Sequence, residues 1–380
     1  MKTNKSLLFI FPLTALVLTG CVQPNSSSKK KTDVSSSSSQ TISSQQVIED
    51  DTVPVFVLSG QSNMEGSTYF VHPDGTPLLK NYFEEEGMDY DPVENGIPNV
   101  LTSYYGYYYP NGWANAHSSS EDKSSPEAML TPNFAPTKVG MGVGDNVQGK
   151  TDIFFGPELG IANTISEYAD EDNPVHLIKC AFSGSGFEKT DGANWKTRPD
   201  DSLTDEQNAS KSLYYLLRRY VDNCLNAILE EGKTPVIKGF IWHQGESDTG
   251  NRNYQTQMEA LIKDFRDDYA EYAEDEDGQN IAFLDCTIYD GSKNRYGSQS
   301  DVNNGINKLK NNIAAKGQLD KDDENYEKNY IVDGTFTDHG LKLEIGDDAL
   351  GGFNMYHYNT KDAYILGQAY GQIIIDNDLL

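Results

Sequence analysis

Three short segments of this sequence concentrate the residue types needed for nucleophilic chemistry at a carbonyl. The first is Ser59-Gly60-Gln61-Ser62-Asn63-Met64-Glu65-Gly66, which follows an apolar run. Gly60 allows a sharp backbone turn, which leaves Ser62 exposed at the start of a helix with its own N–H aimed where an oxyanion develops. This is not the Gly-x-Ser-x-Gly elbow of other serine hydrolases, and taken alone it is a helix cap. The second is Ala181-Phe182-Ser183-Gly184-Ser185-Gly186, where a glycine permits close backbone approach to a ligand and offers a second N–H. Taken alone it is a turn. The third is Trp242-His243-Gln244-Gly245-Glu246-Ser247-Asp248, an apolar run ending in dense polar groups. Gln244 is placed to donate its amide N–H to the same oxyanion. Taken alone, this is a hydrogen-bonded loop with Asp248 as a cap. Gln61, Asn63, His243 and Glu246 are candidate substrate contacts, with packing the alternative for His243.

The elements that must position these segments are legible as alternating runs. Val53–Leu58, Val175–Phe182, Val236–Trp242, Ile281–Asp285 and Tyr330–Val332 are short and apolar, as strands buried on both faces are. Between them lie helical patterns. Over about Ala209–Glu231, Leu213, Leu216, Leu217, Tyr220, Val221, Cys224, Leu225, Ile228 and Leu229 recur at three- and four-residue steps before Gly232. Further helices are predicted over Tyr254–Tyr272, Pro157–Tyr168, Asn304–Ala315 and Lys361–Ile374. Strands alternating with helices predict a parallel sheet covered on both faces. Ligands in such sheets bind beyond the carboxyl ends of the strands. All three polar segments fall at such ends. Residues 67–149 break the alternation, being rich in Gly, Pro, Asn, Ser and Tyr, and are read as a long insertion after the first strand. Its aromatics, Tyr104, Tyr105, Tyr107, Tyr108, Tyr109 and Trp113, either stack on sugar rings at a crevice mouth or pack within their own loop.

The amino terminus is expected to lie outside the fold. Lys2 and Lys5 precede an apolar core, Leu7–Leu18, that is short for a bilayer span and suited to a signal peptide over residues 1–20. Leu18-Thr19-Gly20-Cys21 resembles a bacterial lipobox, which implies cleavage before Cys21 and lipidation of its sulfur. An uncleaved anchor, or a plain signal peptide with a chance cysteine, is the alternative. Residues 21–50 are rich in Ser, Lys, Thr and Gln and read as a flexible tether. Residues 51–380 suffice for one large domain. A net charge of −28 argues against nucleic acid and against electrostatic attachment to anionic lipid. Cys180, Cys224 and Cys286 sit in apolar segments and are expected as buried thiols. Two tempting motifs fail. Gly144-Asp145-Asn146-Val147-Gln148-Gly149-Lys150-Thr151 matches a phosphate-binding loop in letters, but no strand precedes it and the helix that follows is delayed. The acidic run Glu274–Gly278 is out of frame for a calcium loop, whose closing glutamate would fall on Leu284.

Taken together, the three polar segments resemble those of the SGNH-hydrolase superfamily. Within it they are similar to the sialate O-acetylesterase and acetyl-xylan esterase group, carbohydrate esterase family six. The resemblance spans about Val53 to the carboxyl terminus, apart from much of the insertion, and includes Gly156-Pro157-Glu158 at the start of the first long helix. It implies a three-layer α/β/α fold on a five-stranded, parallel, flavodoxin-like sheet. It implies Ser62 as nucleophile, with the backbone N–H of Ser62 and Gly184 and the amide of Gln244 as oxyanion donors. It implies His357, just before the last helix, as base. The family has an aspartate three residues before that histidine; here Asn354 stands there. An asparagine in a serine-protease triad costs on the order of 10⁴ in rate. Asp347 or Asp348 reaching the ring, a Ser–His pair oriented by a backbone carbonyl, and impaired catalysis are the open alternatives, and His339 beside Asp338 is a competing base. The expected function is removal of acetyl groups from oligo- or polysaccharides outside the cytoplasm, without metal or organic cofactor, by a protein held to the bacterial membrane through Cys21. A glycan-binding surface lipoprotein on a decayed esterase fold is the alternative.

Overall fold

The computed structural model describes residues 51–106, 117–122, 124–143, 152–190, 192–274, 278–288, 299–309, 312–314, 329–332 and 357–380. Its strands in chain order are β1 (Thr52–Gly60), β2 (Thr68–Tyr69), β3 (Ile97–Gly106), β4 (His117–Ser118), β5 (Ala135–Thr137), β6 (Phe154–Phe155), β7 (Val175–Ala181), β8 (Thr234–His243), β9 (Ala282–Cys286), β10 (Asn312–Ala314) and β11 (Asn329–Val332). Its helices are α1 (Ser62–Glu65), α2 (Leu78–Glu86), α3 (Asp91–Asn95), α4 (Pro157–Ile165), α5 (Asp205–Ala209), α6 (Leu213–Glu230), α7 (Tyr254–Asp268), α8 (Ser300–Ile306) and α9 (Thr360–Asp376).

Each of the five apolar runs becomes a strand, and all five pair in parallel in the order β7-β1-β8-β9-β11. Taking the five in chain order, this is the flavodoxin-like sequence 2-1-3-4-5. Both faces are buried, so the strands alternate between two cores rather than between core and water. Val53, Val55 and Val57 of β1 pack with α6, α7 and α8, whereas Phe56 and Leu58 pack with α2, α4 and α9.

The sheet is larger than the five runs. It contains nine strands among the described residues, because β10 pairs in parallel with β11, and β3 pairs in parallel with β7 and carries antiparallel β4 and β5. The long segment over residues 67–149 that follows the first strand also supplies part of the central layer, through β3, β4 and β5. Tyr, Ser and Thr in Ile97–Gly106 mask the strand, yet Thr102, Ser103 and Tyr105 are fully buried. The two hydroxyls find partners: Thr102 Oγ1 pairs with Thr137 Oγ1 at 2.7 Å and Ser103 Oγ with the Tyr220 hydroxyl at 2.7 Å. The segment expected as one helix around Asn304–Ala315 resolves into α8 and β10. The other helices stand near their expected positions, with single 3₁₀ turns at Ser166–Tyr168 and Ala270–Tyr272 taking up the residues beyond α4 and α7. Cys180, Cys224 and Cys286 are buried free thiols. The phosphate-loop look-alike, residues 275–277 of the acidic run, Tyr107, Tyr108, Tyr109, Trp113 and Cys21 lie outside the described residues. Among the described residues no helix is long and apolar enough to cross a membrane.

Two contacts carry this scaffold to the carboxyl ends of the strands. Helices α4 and α9 meet backbone to backbone: a Cβ on Gly160 would stand 2.2 Å from the Tyr364 carbonyl, and one on Gly367 would stand 2.2 Å from that of Pro157. The last helix is thereby docked directly on the first long one. On the sheet, Lys179 of β7 is buried beside the Glu158 carboxylate at 3.0 Å. Its amine also donates to the carbonyls of Glu65 (3.1 Å) and Met141 (2.7 Å). Glu158 in turn accepts the Gly156 N–H (2.9 Å) and so caps α4. Desolvation pulls the Lys179 amine down in pKa, and the Glu158 charge opposes that pull. Removing one member of such a pair leaves an uncompensated buried charge. Lys179→Met is expected to lose about 3–5 kcal/mol of stability in urea titration. A loss below about 1 kcal/mol would show that Glu158 can be neutralised or hydrated in place.

Candidate active site

The three polar segments converge because β7, β1 and β8 are neighbours in the sheet and end at the same edge. Gly60 is the joint. Its φ is +140°, and a Cβ there would lie 2.1 Å from the His243 carbonyl, so any other residue would drive β1 and β8 apart. The Gln61 N–H donates to that same carbonyl at 3.0 Å, and the Gly60 carbonyl accepts the Phe182 N–H at 3.1 Å and the Ser185 hydroxyl at 3.3 Å. One peptide thus touches both other segments. The chain then enters α1, whose first residue is Ser62. Ser62 is 4% exposed, and its hydroxyl makes no hydrogen bond to another described residue. As the first residue of a helix, its N–H has no intrahelical acceptor. Gly184 is exposed in the turn after β7, with a φ of +69°.

His357 comes to this edge from the far end of the chain. Asn359 caps α9 by accepting the Asp362 N–H at 2.8 Å. Thr360 donates to the Tyr69 carbonyl at 2.7 Å, and Thr68 donates to the Tyr358 carbonyl at 3.0 Å. Most directly, the Tyr358 N–H donates to Asn63 Oδ1 at 3.1 Å. The residue after Ser62 therefore holds the residue after His357. No hydrogen bond joins Ser62 Oγ to the His357 ring among the described residues; such bonds are often long before substrate binds. Burial lowers the His357 imidazole to about 4, so the ring is neutral at ordinary pH. Asn354, Asp347, Asp348, Asp338 and His339 lie outside the described residues.

The third segment is packed differently from the expectation. Gln244 is fully buried, and its Nε2 has three acceptors: Asp248 Oδ2 at 2.8 Å, the Ser185 carbonyl at 3.2 Å and Gln61 Oε1 at 3.2 Å. Two amide hydrogens are spent on three internal partners, which leaves none for an oxyanion. The role expected for Gln244 is corrected to that of a brace. Asp248, read from the sequence as a cap, is the other half of that brace. Its carboxylate accepts the N–H groups of Phe187 (2.9 Å) and Glu188 (3.2 Å) as well as the Gln244 amide, so it clamps the glycine turn to the third segment. A Cβ on Gly186 would come within 2.8 Å of this carboxylate.

The proposed substrate contacts also change. His243 is fully buried with its ring beside that of Tyr358 (centroids 5.6 Å apart), and burial lowers it to about 3. It packs and does not face a ligand. Glu246 is 4% exposed, accepts Asn63 Nδ2 at 2.6 Å, and is pushed up to about 7 by burial. Asn63 is spent between Glu246 and Tyr358. Both side chains therefore position the loop that carries His357. Gln61 Oε1 accepts the N–H groups of Gly245 (3.4 Å) and Ser247 (3.2 Å), so this side chain ties the turn of Ser62 to the third segment. Among the described residues, no group of three or more His, Cys, Asp or Glu side chains is placed to hold a metal ion.

Residues 112–325, more than half of the 380-residue chain, match the family described as carbohydrate esterase, sialic acid-specific acetylesterase. The matched stretch contains Gly184 and Gln244 and leaves out Ser62 and His357. No curated protein matches the chain. Among solved structures, a protein from Arabidopsis thaliana aligns at 18% identity and a TM-score of 0.46, over 85% of this chain and 98% of its own. NanS aligns at 14% identity and a TM-score of 0.48, over 87% of this chain and 99% of its own. A carbohydrate acetylesterase from Xanthomonas citri aligns at 15% identity and a TM-score of 0.42, over 84% of this chain and 55% of its own.

Proposed function

Because the chain belongs to the carbohydrate esterase family of sialic acid-specific acetylesterases, we propose that it hydrolyses O-acetyl esters on glycans with Ser62 as nucleophile and His357 as general base. The observation that carries this reading is the hydrogen bond from the Tyr358 N–H to Asn63 Oδ1, which joins two residues 295 positions apart, one the chain neighbour of His357 and the other of Ser62. A buried, neutral imidazole, and a serine hydroxyl with no hydrogen bond among the described residues at the carboxyl edge of a parallel sheet, are the parts that acyl transfer requires.

In this mechanism His357 takes the proton of Ser62 Oγ as that oxygen bonds to the acetyl carbonyl carbon. The carbonyl oxygen becomes an oxyanion held by the N–H groups of Ser62 and Gly184. The sugar C–O–acetyl bond then breaks at the acyl carbon, and the proton on His357 passes to the departing sugar hydroxyl. Water, deprotonated by the same ring, attacks the acetyl-enzyme and releases acetate and free Ser62. Asp248 and Gln244 keep the Gly184 turn in register with Ser62, and Glu246 acts through Asn63 on the loop of His357.

Acetate release from an aryl acetate, from O-acetylated sialic acid and from acetylated xylan is the direct test. Ser62→Ala and His357→Ala are each expected to lose about 10³-fold or more in kcat while remaining folded. Turnover surviving in folded Ser62→Ala would remove the mechanism. A folded parent that binds acetylated glycans and releases no acetate would support a glycan-binding role instead. The acidic limb of kcat/KM provides a second check. The neutral ring is the active form, so a pKa lowered to about 4 keeps activity well into acid, with the limb near pH 4–5. A limb at about 6.5 or above would show a carboxylate at the ring in the working enzyme.

We further propose that lipid on Cys21 holds this activity at the outer face of the bacterial membrane, with residues 21–50 as the tether. Cys21→Ala is expected to end labelling by radioactive palmitate and to shift the protein out of the membrane fraction. Unchanged labelling would sink the anchor.

A further inference from the structure

The hydroxyl of Ser185 stands between the two turns that supply backbone N–H groups to the oxyanion. Ser185 follows Gly184 directly and is buried. Its Oγ accepts the indole N–H of Trp195 at 2.8 Å. An indole nitrogen donates and never accepts, so the proton of the Ser185 hydroxyl is left for another partner. Among the described residues that partner is the Gly60 carbonyl, 3.3 Å away. The donor-only chemistry of Trp195 thus fixes a hydroxyl that could otherwise rotate. The Gly60 carbonyl belongs to the same peptide group as the Gln61 N–H, which donates to the His243 carbonyl at 3.0 Å. The tilt of that peptide sets the direction of the next one, which carries the N–H of Ser62.

Trp195 is itself firmly placed. It is fully buried. Its ring meets that of Trp242 edge-on, with centroids 5.0 Å apart, and lies 5.7 Å from that of Phe182. The indole is therefore wedged between the end of β8 and the residue that follows β7. The Trp195 N–H donates to the Gly186 carbonyl at 3.2 Å, and the Gly186 N–H donates to the Ala193 carbonyl at 3.1 Å. The loop from Gly186 to Trp195 is closed on itself, and the indole returns to the turn from which the loop began.

We propose that Trp195 is a positioning residue for ester hydrolysis, which acts through the Ser185 hydroxyl to set the spacing between the N–H groups of Gly184 and Ser62. This rests on the esterase reading above and deepens it. Trp195 and Ser185 act from behind the two turns. Their effect falls on the step in which the acetyl oxygen becomes charged, because only then are both N–H groups needed at one point. Misplacement of reacting groups by about 1 Å from a distant substitution costs on the order of 10²-fold in rate.

The experiment measures kcat and KM on an aryl acetate for the full-length protein, Ser62→Ala, Trp195→Phe, Ser185→Ala and the double variant of the last two, with the affinity of each for phenylboronic acid. Trp195→Phe keeps an aromatic ring and loses the N–H; Ser185→Ala removes the link on both sides. Each is expected to lower kcat by about 10–10²-fold, with KM within about threefold of the parent. The double variant is expected within about threefold of Ser185→Ala alone, since both substitutions break one link. In the boronate adduct a bond forms from Ser62 Oγ to boron, which becomes tetrahedral and anionic, and the serine proton passes to His357. Boronate affinity is expected to fall in step with kcat/KM. A loss confined to thermal stability or to KM, or losses that multiply in the double variant, overturns the proposal. The crystal structure of the parent adduct is the check that needs no variant to fold. It is expected to show a boronate oxygen within about 3.2 Å of the N–H nitrogens of both Gly184 and Ser62, with Ser185 Oγ still bonded to Trp195 Nε1 and to the Gly60 carbonyl. An adduct in which either bond is broken, or whose oxygens do not reach Gly184, overturns it as well. A parent that turns over and a dead Ser62→Ala uphold the esterase whatever Trp195 does, whereas no turnover and no adduct remove both readings.

Discussion

The close passage of Gly60 under the His243 carbonyl is the constraint on which the rest of the site depends. A side chain at position 60 would overlap that carbonyl at 2.1 Å, so β1 and β8 can end this near each other only with glycine there. Everything downstream uses the short distance. The Gln61 N–H bonds across it, the Gln61 side chain reaches Gly245 and Ser247, and the Asn63 side chain reaches Glu246. Had the ends separated by the width of one methyl group, these side chains would fall short and the polar segment after β8 would be left buried without partners, which is costly.

The second requirement is satisfaction of an unusual amount of polarity in a dry place. Gln61, Asn63, Gln244, Glu246 and Asp248 are each 4% exposed or less. They are tolerated because each completes another's hydrogen bonds, so the network behaves as a unit and specifies one arrangement of three loops. The imbalance within it is also informative. Among the described residues, Glu246 Oε2 and both His243 nitrogens are buried without a hydrogen-bond partner, and Glu246 is raised to about 7 while His243 falls to about 3. Both shifts have one cause, desolvation of a charged form. The cluster therefore carries less charge at neutral pH than its residue types suggest, which lowers the cost of burying it beside the nucleophile.

The distant parts of the scaffold serve the same end. The Lys179 amine holds the last carbonyl of the nucleophile helix, and its partner Glu158 caps α4. Helix α4 then receives α9 at the Gly160 and Gly367 contact, and the residues just before α9 include His357. A continuous chain of buried contacts thus runs from behind Ser62, through the opposite layer, and back to the base. The large negative charge of the protein is largely outside this chain and bears on its solubility and not on its chemistry.

The sequence by itself determined the sheet core and the segments worth watching. Five apolar runs of strand length separated by helical periodicities admit few architectures, and the parallel order follows from their crossovers. Glycine and polar residues at the ends of apolar strands mark the site, because a buried strand otherwise has no reason to end in such side chains. What the sequence did not settle was the direction in which each polar side chain points. Gln61 and Gln244 carry the same amide, and nothing local shows that the N–H groups of Gln244 are spent inside the fold. That is decided by Asp248, Ser185 and Tyr254, which reach Gln244 from separate parts of the structure. Likewise β3 lacks the apolar signature of a central strand, since Thr102 and Ser103 are acceptable in the core only because Thr137 and Tyr220 meet them there. Local periodicity records which faces are buried, whereas hydrogen-bond satisfaction is a property of the assembled fold, and it is the latter that assigns the roles within this site.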